Sequence, residues 1–179
     1  MRIKAEKYCI ELTYLDSYSL SENDKVYFPE NFEYEIPTKI KLSSFENSNI
    51  INSAIIGSFG GGTGIHDTSQ IIENDRIIIC CSESIFCLSI PELDLIWQTK
   101  TDSESCFEIY KVDNFYIIHG ETMISRIDYN GNIIWQKGGK DIFTTQEGID
   151  DFAINESHIF VKDWENNIYK FDYNGNEFE

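Results

Sequence analysis

Residues with chemical potential are sparse in this chain, and the densest run is Gly57-Ser-Phe-Gly-Gly-Gly-Thr-Gly-Ile-His-Asp67. A loop of this composition lets backbone N–H groups approach an anion closely. Gly60, Gly61, Gly62, Thr63, His66 and Asp67 are therefore the candidate binding residues. The run lacks the Gly-Lys-Ser/Thr ending of a P-loop, and no helical pattern follows to lend a positive dipole. A dinucleotide fingerprint fails for want of the same helix. The competing reading is a wide connection between sheets. His66 is the one histidine placed for function. His119 and His158 fall in or beside expected strands, and none of the three has a Ser or Cys in a nucleophile motif.

Two other groupings invite a chemical reading. Asp128, Asn130 and Asn132, and again Asp172, Asn174 and Asn176, alternate oxygen ligands as a calcium loop begins. The bidentate Glu of such a loop is missing, and Asn-Gly is the strongest hairpin signal, so turns are expected there. The cysteines (Cys9, Cys80, Cys81, Cys87, Cys106) are odd in number, and neither a CxxC pair nor a His/Cys cluster offers metal spacing. No metal and no cofactor is expected. The N-terminus has no apolar run of signal-peptide length, and no segment approaches a membrane span. Free thiols in a reducing cytoplasm are the expectation.

The elements that position these residues read as strands. Of 179 residues 41% are hydrophobic and 14% aromatic, which suits one folded domain with a real core. Ile, Tyr and Phe dominate, whereas Ala, the best helix former, occurs only at Ala5, Ala54 and Ala153. Against 14 Lys and Arg stand 31 Asp and Glu, a formal net charge of −17 that is spread along the whole chain. Such a surface repels nucleic acid and anionic membrane, and it steers encounter with a basic protein.

Three stretches, 71–98, 108–136 and 152–179, repeat one pattern of short strands and turns. Trp97 and Trp135 occupy one equivalent position, Gly131 and Gly175 another, and Ile90, Asp128 and Asp172 a third. In the second stretch 108–112, 115–119, 123–128 and 133–137 are expected strands, with turns at Asp113-Asn114 and Asn130-Gly131. Four antiparallel strands every ~40 residues is the period of a propeller blade. The segment Ile127-Asp-Tyr-Asn-Gly-Asn-Ile-Ile-Trp135 resembles the repeat of quinoprotein-like (PQQ-like) β-propellers, over roughly residues 70–179. The resemblance implies a blade scaffold; most proteins with this repeat are scaffolds. Some quinoprotein dehydrogenases carry a vicinal disulfide over the cofactor, but Cys80 and Cys81 sit inside an expected strand and read as core thiols.

The expected fold is all-β: a small or incomplete β-propeller-like stack of four-stranded antiparallel sheets, with a β-sandwich as the alternative. Residues 69–102, 107–140 and 149–179 are the repeat units, 51–68 a Gly-rich connection, and 1–50 a strand region that forms a fourth sheet. Its strands are expected at Lys7–Leu15, Val26–Phe28, Phe32–Ile36 and Lys39–Leu42. The last unit ends on an open edge, which Lys7–Leu15 or a second protomer is expected to cover. Functionally the chain reads as a non-enzymatic binding protein, in its specific form a bacterial immunity protein against a basic toxin. A small-ligand or carbohydrate binder, and an enzyme with a site near His66, are the alternatives. If the compartment reading holds, a thiol titration of denatured, unreduced protein counts five reactive cysteines; a reproducible Cys80–Cys81 disulfide overturns it.

Overall fold

The computed structural model describes residues 1–15, 21, 23–29, 38–146, 148 and 151–178, and among them every regular element is a strand. The first sheet holds β1 (Arg2–Ala5), β2 (Tyr8–Tyr14), β3 (Asp24–Tyr27), β4 (Thr38–Glu46) and β5 (Asn49–Ser58). The second holds β6 (Gln70–Glu73), β7 (Arg76–Cys81), β8 (Ser84–Ser89) and β9 (Leu95–Lys100). The third holds β10 (Cys106–Val112), β11 (Phe115–Gly120), β12 (Ile124–Asp128) and β13 (Ile133–Lys137). The fourth holds β14 (Phe152–Ile154), β15 (His158–Lys162) and β16 (Ile168–Asp172). Sheets two to four are antiparallel meanders in chain order, and an isolated bridge, Phe171 to Glu177, begins a fourth strand beside β16.

Three apolar clusters join the sheets in succession, first to second, second to third and third to fourth. This arrangement replaces the single interface of a sandwich. It also explains why β7, Arg-Ile-Ile-Ile-Cys-Cys, is apolar without alternation: both its faces are covered. Side chains on a strand point to opposite faces in turn, so Ile77, Ile79 and Cys81 enter the first cluster and Ile78 and Cys80 the second. The adjacent thiols thus lie in different cores, and all five cysteines are free.

Several boundaries differ from the expectation. The first sheet has five strands in the order β1-β2-β4-β5-β3. It is the same meander, with β3 inserted between β2 and β4 and laid parallel to the outer edge of β5. β5 occupies the start of the expected Gly-rich connection, because Asn49–Ser58 pairs with β4 along its whole length. The expected strand at 32–36 lies outside the described residues. β2 is paired on both sides, by β1 and β4, so Lys7–Leu15 does not cover the edge of the fourth sheet. Ser89, not Ile90, is the counterpart of Asp128: the turn after β8 is one residue longer, and the Ser89 hydroxyl accepts from Asp94 N–H as the Asp128 carboxylate accepts from Asn130 and Asn132.

Each sheet grips the turn of the next. Ser44 and Asn52, a cross-strand pair of β4 and β5, both donate to the Pro91 carbonyl at 2.7 and 3.0 Å. Arg126 and Trp135, the corresponding pair of β12 and β13, both donate to the Tyr173 carbonyl at 2.7 and 3.1 Å. Between them Arg76 donates to the Tyr129 carbonyl at 3.2 Å and lies 3.7 Å from the centre of the Tyr129 ring. The Trp faces press on glycines: a Cβ on Gly131 would stand 2.6 Å from Trp97, and one on Gly175 2.9 Å from Trp135. Both glycines also have φ above +80°, which disfavours any side chain. Trp135→Ala is expected to lower the unfolding free energy by roughly 3 kcal/mol, the low end for a Trp truncation because this ring is half buried. Guanidinium unfolding of the two proteins measures it, and an unchanged midpoint contradicts the interlock.

Candidate functional site

A cleft of about 270 Å³ opens where the connections into β6 and β14 meet β10 and β11. His66, Phe107, Glu108, His119, Thr144, Gly148 and Asp151 line it. A β-bulge shapes its floor: Cys106 pairs with Gly120 and Glu108 with His119, which leaves Phe107 as the extra residue. Bulges re-aim side chains in this way. Phe107 becomes one wall, edge-on to His119 with ring centres 5.5 Å apart, and Phe152 stacks on the other side of His119 at 4.3 Å.

A continuous chain of hydrogen bonds runs through the site. Thr68 Oγ1 donates to Glu108 Oε1 at 2.7 Å, while His119 Nδ1 lies 2.9 Å from Glu108 Oε2. His119 Nε2 lies 2.7 Å from the Phe143 carbonyl. A carbonyl and a carboxylate only accept, so each nitrogen of this buried ring faces an acceptor and is committed to it. At the mouth His66 Nδ1 is 3.1 Å from Thr68 Oγ1. Burial alone would raise the Glu108 carboxyl, but the hydrogen bonds from His119 and Thr68, the electrostatic interaction with His119 and a hydrogen bond from Tyr110 outweigh it and hold it at about 2.

The six residues expected from sequence divide between packing and cleft. Gly60 has φ +92°, and a Cβ there would stand 2.1 Å from the Glu104 carbonyl oxygen, so close backbone approach explains it. Gly61 N–H donates to the same carbonyl at 3.0 Å. Thr63 is buried and donates to the Cys106 carbonyl, while its own carbonyl accepts from Tyr14. Gly62 has open space around it, and Asp67 is exposed without lining the cleft. Only His66 reaches the cleft. Thr68, Glu108, His119 and Asp151 were not singled out from sequence. One signal pointed to a pair of them: counting back from the Asp113-Asn114 turn sets Glu108 opposite His119.

Other groups are committed elsewhere. The Asp128 and Asp172 carboxylates each accept two backbone N–H groups and an Asn side chain, which is turn chemistry. Burial drives the Cys81 thiol up to about 12 and Cys87 to about 11, so neither is a thiolate nucleophile. A second concavity, near Arg2, Lys4, Lys7 and Phe45, has cations already paired: Arg2 with Glu11 and Lys7 with Glu46. No group of three or more His, Cys, Asp or Glu among the described residues is arranged to hold a metal. No helix is long and apolar enough to cross a membrane.

The sequence matches no protein-family profile and no curated protein. Solved structures do match. BamB from Moraxella catarrhalis is similar over 94% of this chain and 51% of its own, at 16% identity and a TM-score of 0.53. The computationally designed Ika8 protein is similar over 99% of this chain and 59% of its own, at 8% identity and a TM-score of 0.54. The designed Ika4 protein is similar over 66% of this chain and 76% of its own, at 10% identity and a TM-score of 0.50. These are β-propeller proteins. The fold is β-propeller-like. The chain spans between half and three-fifths of BamB and Ika8, and what those proteins do as wholes is not carried over.

Because the folded-state pKa of Glu108 lies below the ordinary value of about 4.3, its stabilisation is present above that pH and is lost as pH falls through about 2. Glu108→Gln should therefore melt well below the wild type at pH 6, with the gap closing as pH is lowered toward about 2. Thermal unfolding across that range measures the gap, and a constant difference removes the ionised-carboxylate assignment.

Proposed function

We propose that this chain is a non-enzymatic binding protein whose partner is a basic protein. The observation that carries the reading is electrostatic: a net charge of −17 spread along the whole chain, on a scaffold with a cleft that contains an ionised carboxylate. Spread negative charge accelerates encounter with a cationic surface and disfavours anionic ones. His119 has both ring nitrogens committed to hydrogen bonds, which suits a positioning role for it in a binding cleft. The specific form of the reading is a bacterial immunity protein that neutralises a basic toxin. Five unpaired thiols suit a reducing cytoplasm for it. The repeat is of the PQQ-like kind in this reading, supported by the Ile127–Trp135 motif and by the way Trp135 packs on the Gly175 turn.

Affinity capture from the native host at low salt should recover one stoichiometric protein of basic composition. Its retention should fall as salt rises from about 50 to 500 mM, since screening shortens the reach of surface charge. Recovery of an acidic partner, or a partner insensitive to salt, overturns the proposal.

A further inference from the structure

We infer that the cleft between the second, third and fourth sheets is a receptor for a single cationic side chain, a lysine ammonium or an arginine guanidinium presented by the partner. This rests on the basic-partner reading and adds where and how the partner is held.

Donor and acceptor accounting leads to the ligand class. The single hydrogen of Thr68 goes to Glu108, so the Thr68 oxygen must accept from His66 Nδ1–H. That bond occupies Nδ1, so Nε2 is the ring nitrogen His66 has left for a ligand, on an exposed ring at the mouth of the cleft. Asp151 accepts from Thr144 at 3.2 Å with Oδ2, and its other carboxylate oxygen has no side-chain donor among the described residues. Glu108 accepts from Thr68, His119 and Tyr110, and a carboxylate has one further lone pair beyond those three. The polar atoms that reach the cleft are thus acceptors, and a matching ligand has to be a donor.

Charge narrows the class. The groups that face one another here are Glu108 and His119 from the third sheet, Asp151 from the connection into the fourth and His66 from the connection into the second. Among the described residues the lining carries two carboxylates, Glu108 and Asp151, and no Lys or Arg. Lys162 donates its backbone N–H to the Asp151 carbonyl, but its ammonium lies over the Phe160 ring and does not neutralise the carboxylate. A cationic ligand suits a lining of carboxylates that no described Lys or Arg enters. Phe107 supplies an aromatic wall against which the methylene stem or a guanidinium plane can lie. A cleft of about 270 Å³ takes one such side chain and excludes a bulkier group. Within it Asp151 and the His66 Nε2 touch the ligand, while His119 and Thr68 are positioning residues that hold Glu108.

The test uses the full chain and the tripeptides Gly-Arg-Gly, Gly-Lys-Gly and Gly-Glu-Gly, with methylammonium and guanidinium as free cations, followed by amide and histidine-ring NMR. The Arg or Lys tripeptide should shift the signals of His66, Phe107 and Asp151 saturably, and Gly-Glu-Gly should not. Asp151→Asn and His66→Ala, both at positions outside the apolar core, should each weaken that binding about tenfold, equivalent to about 1.4 kcal/mol. Shifts located elsewhere, equal binding of Gly-Glu-Gly, or unchanged affinity in both variants overturn the inference. Free methylammonium or guanidinium binding as tightly as the tripeptides also overturns it, since the ligand is then a small amine. A host partner whose salt-sensitive capture survives both variants leaves the basic-partner reading intact and removes the cleft from it. Tripeptide binding at the cleft alongside an acidic host partner does the reverse.

Discussion

In each turn that follows the third strand of a sheet, one backbone carbonyl points back at the preceding sheet and has to be met by a donor there. Pro91, Tyr129 and Tyr173 supply those carbonyls, and Ser44 with Asn52, Arg76, and Arg126 with Trp135 supply the donors. A buried carbonyl without a partner costs about 1–3 kcal/mol, so the donors fix the register in which one sheet sits on the next. The glycines beneath Trp97 and Trp135 reinforce that register, because the ring occupies the space where a Cβ would stand. Three chemically different solutions to one geometric need explain why the stack tolerates so much sequence variation. The solutions are not equal: Trp135 Nε1 is bonded, whereas Trp97 Nε1 has no hydrogen-bond partner, Arg76 having taken its role.

This stacking also creates the cleft. Once the second and fourth sheets are seated on either side of the third, the connections entering their first strands converge over the ends of β10 and β11. Nothing in the repeat unit itself requires a Glu or a His there. The bulge at Phe107 and the cross-strand pair of Glu108 and His119 are particular to the third sheet, and they sit on rigid strands while their partners His66 and Asp151 come from loops. A rigid floor with variable walls is a common way for a repeat scaffold to acquire a binding role without altering its core.

The Gly-rich connection shows how one composition serves a need different from the one it suggests. Gly60 and Gly61 lie against the segment around Glu104, where a Cβ on Gly60 would collide with the Glu104 carbonyl and one on Gly61 with the Ser105 hydroxyl, and the Gly61 N–H is spent on the Glu104 carbonyl. The loop therefore threads closely between sheets, and only its far end, at His66 and Thr68, joins the hydrogen bonds of the cleft.

What the sequence determined by itself is local. Alternation of side chains, the Asp-Asn and Asn-Gly turns and the recurrence of Trp and Gly gave the strands of the third and fourth sheets to within a residue or two, because turn chemistry and period-two burial act over a few neighbours. The register counted back from the Asp113-Asn114 turn is consistent with the Glu108–His119 pair that the structure shows. These local rules did not place Ser89, since a turn longer by one residue breaks a fixed-offset comparison, and they did not show that 49–58 is a strand, since its glycine and polar ends hide a segment held by β4 and β3. Only the tertiary structure decided that β3 would join the outer edge of β5, that Cys80 and Cys81 would face different cores, and that His66, Glu108 and Asp151 would share a cleft. Those outcomes depend on which sheet faces meet, and the contacts that choose them join residues roughly 40 positions apart, beyond the reach of any local pattern.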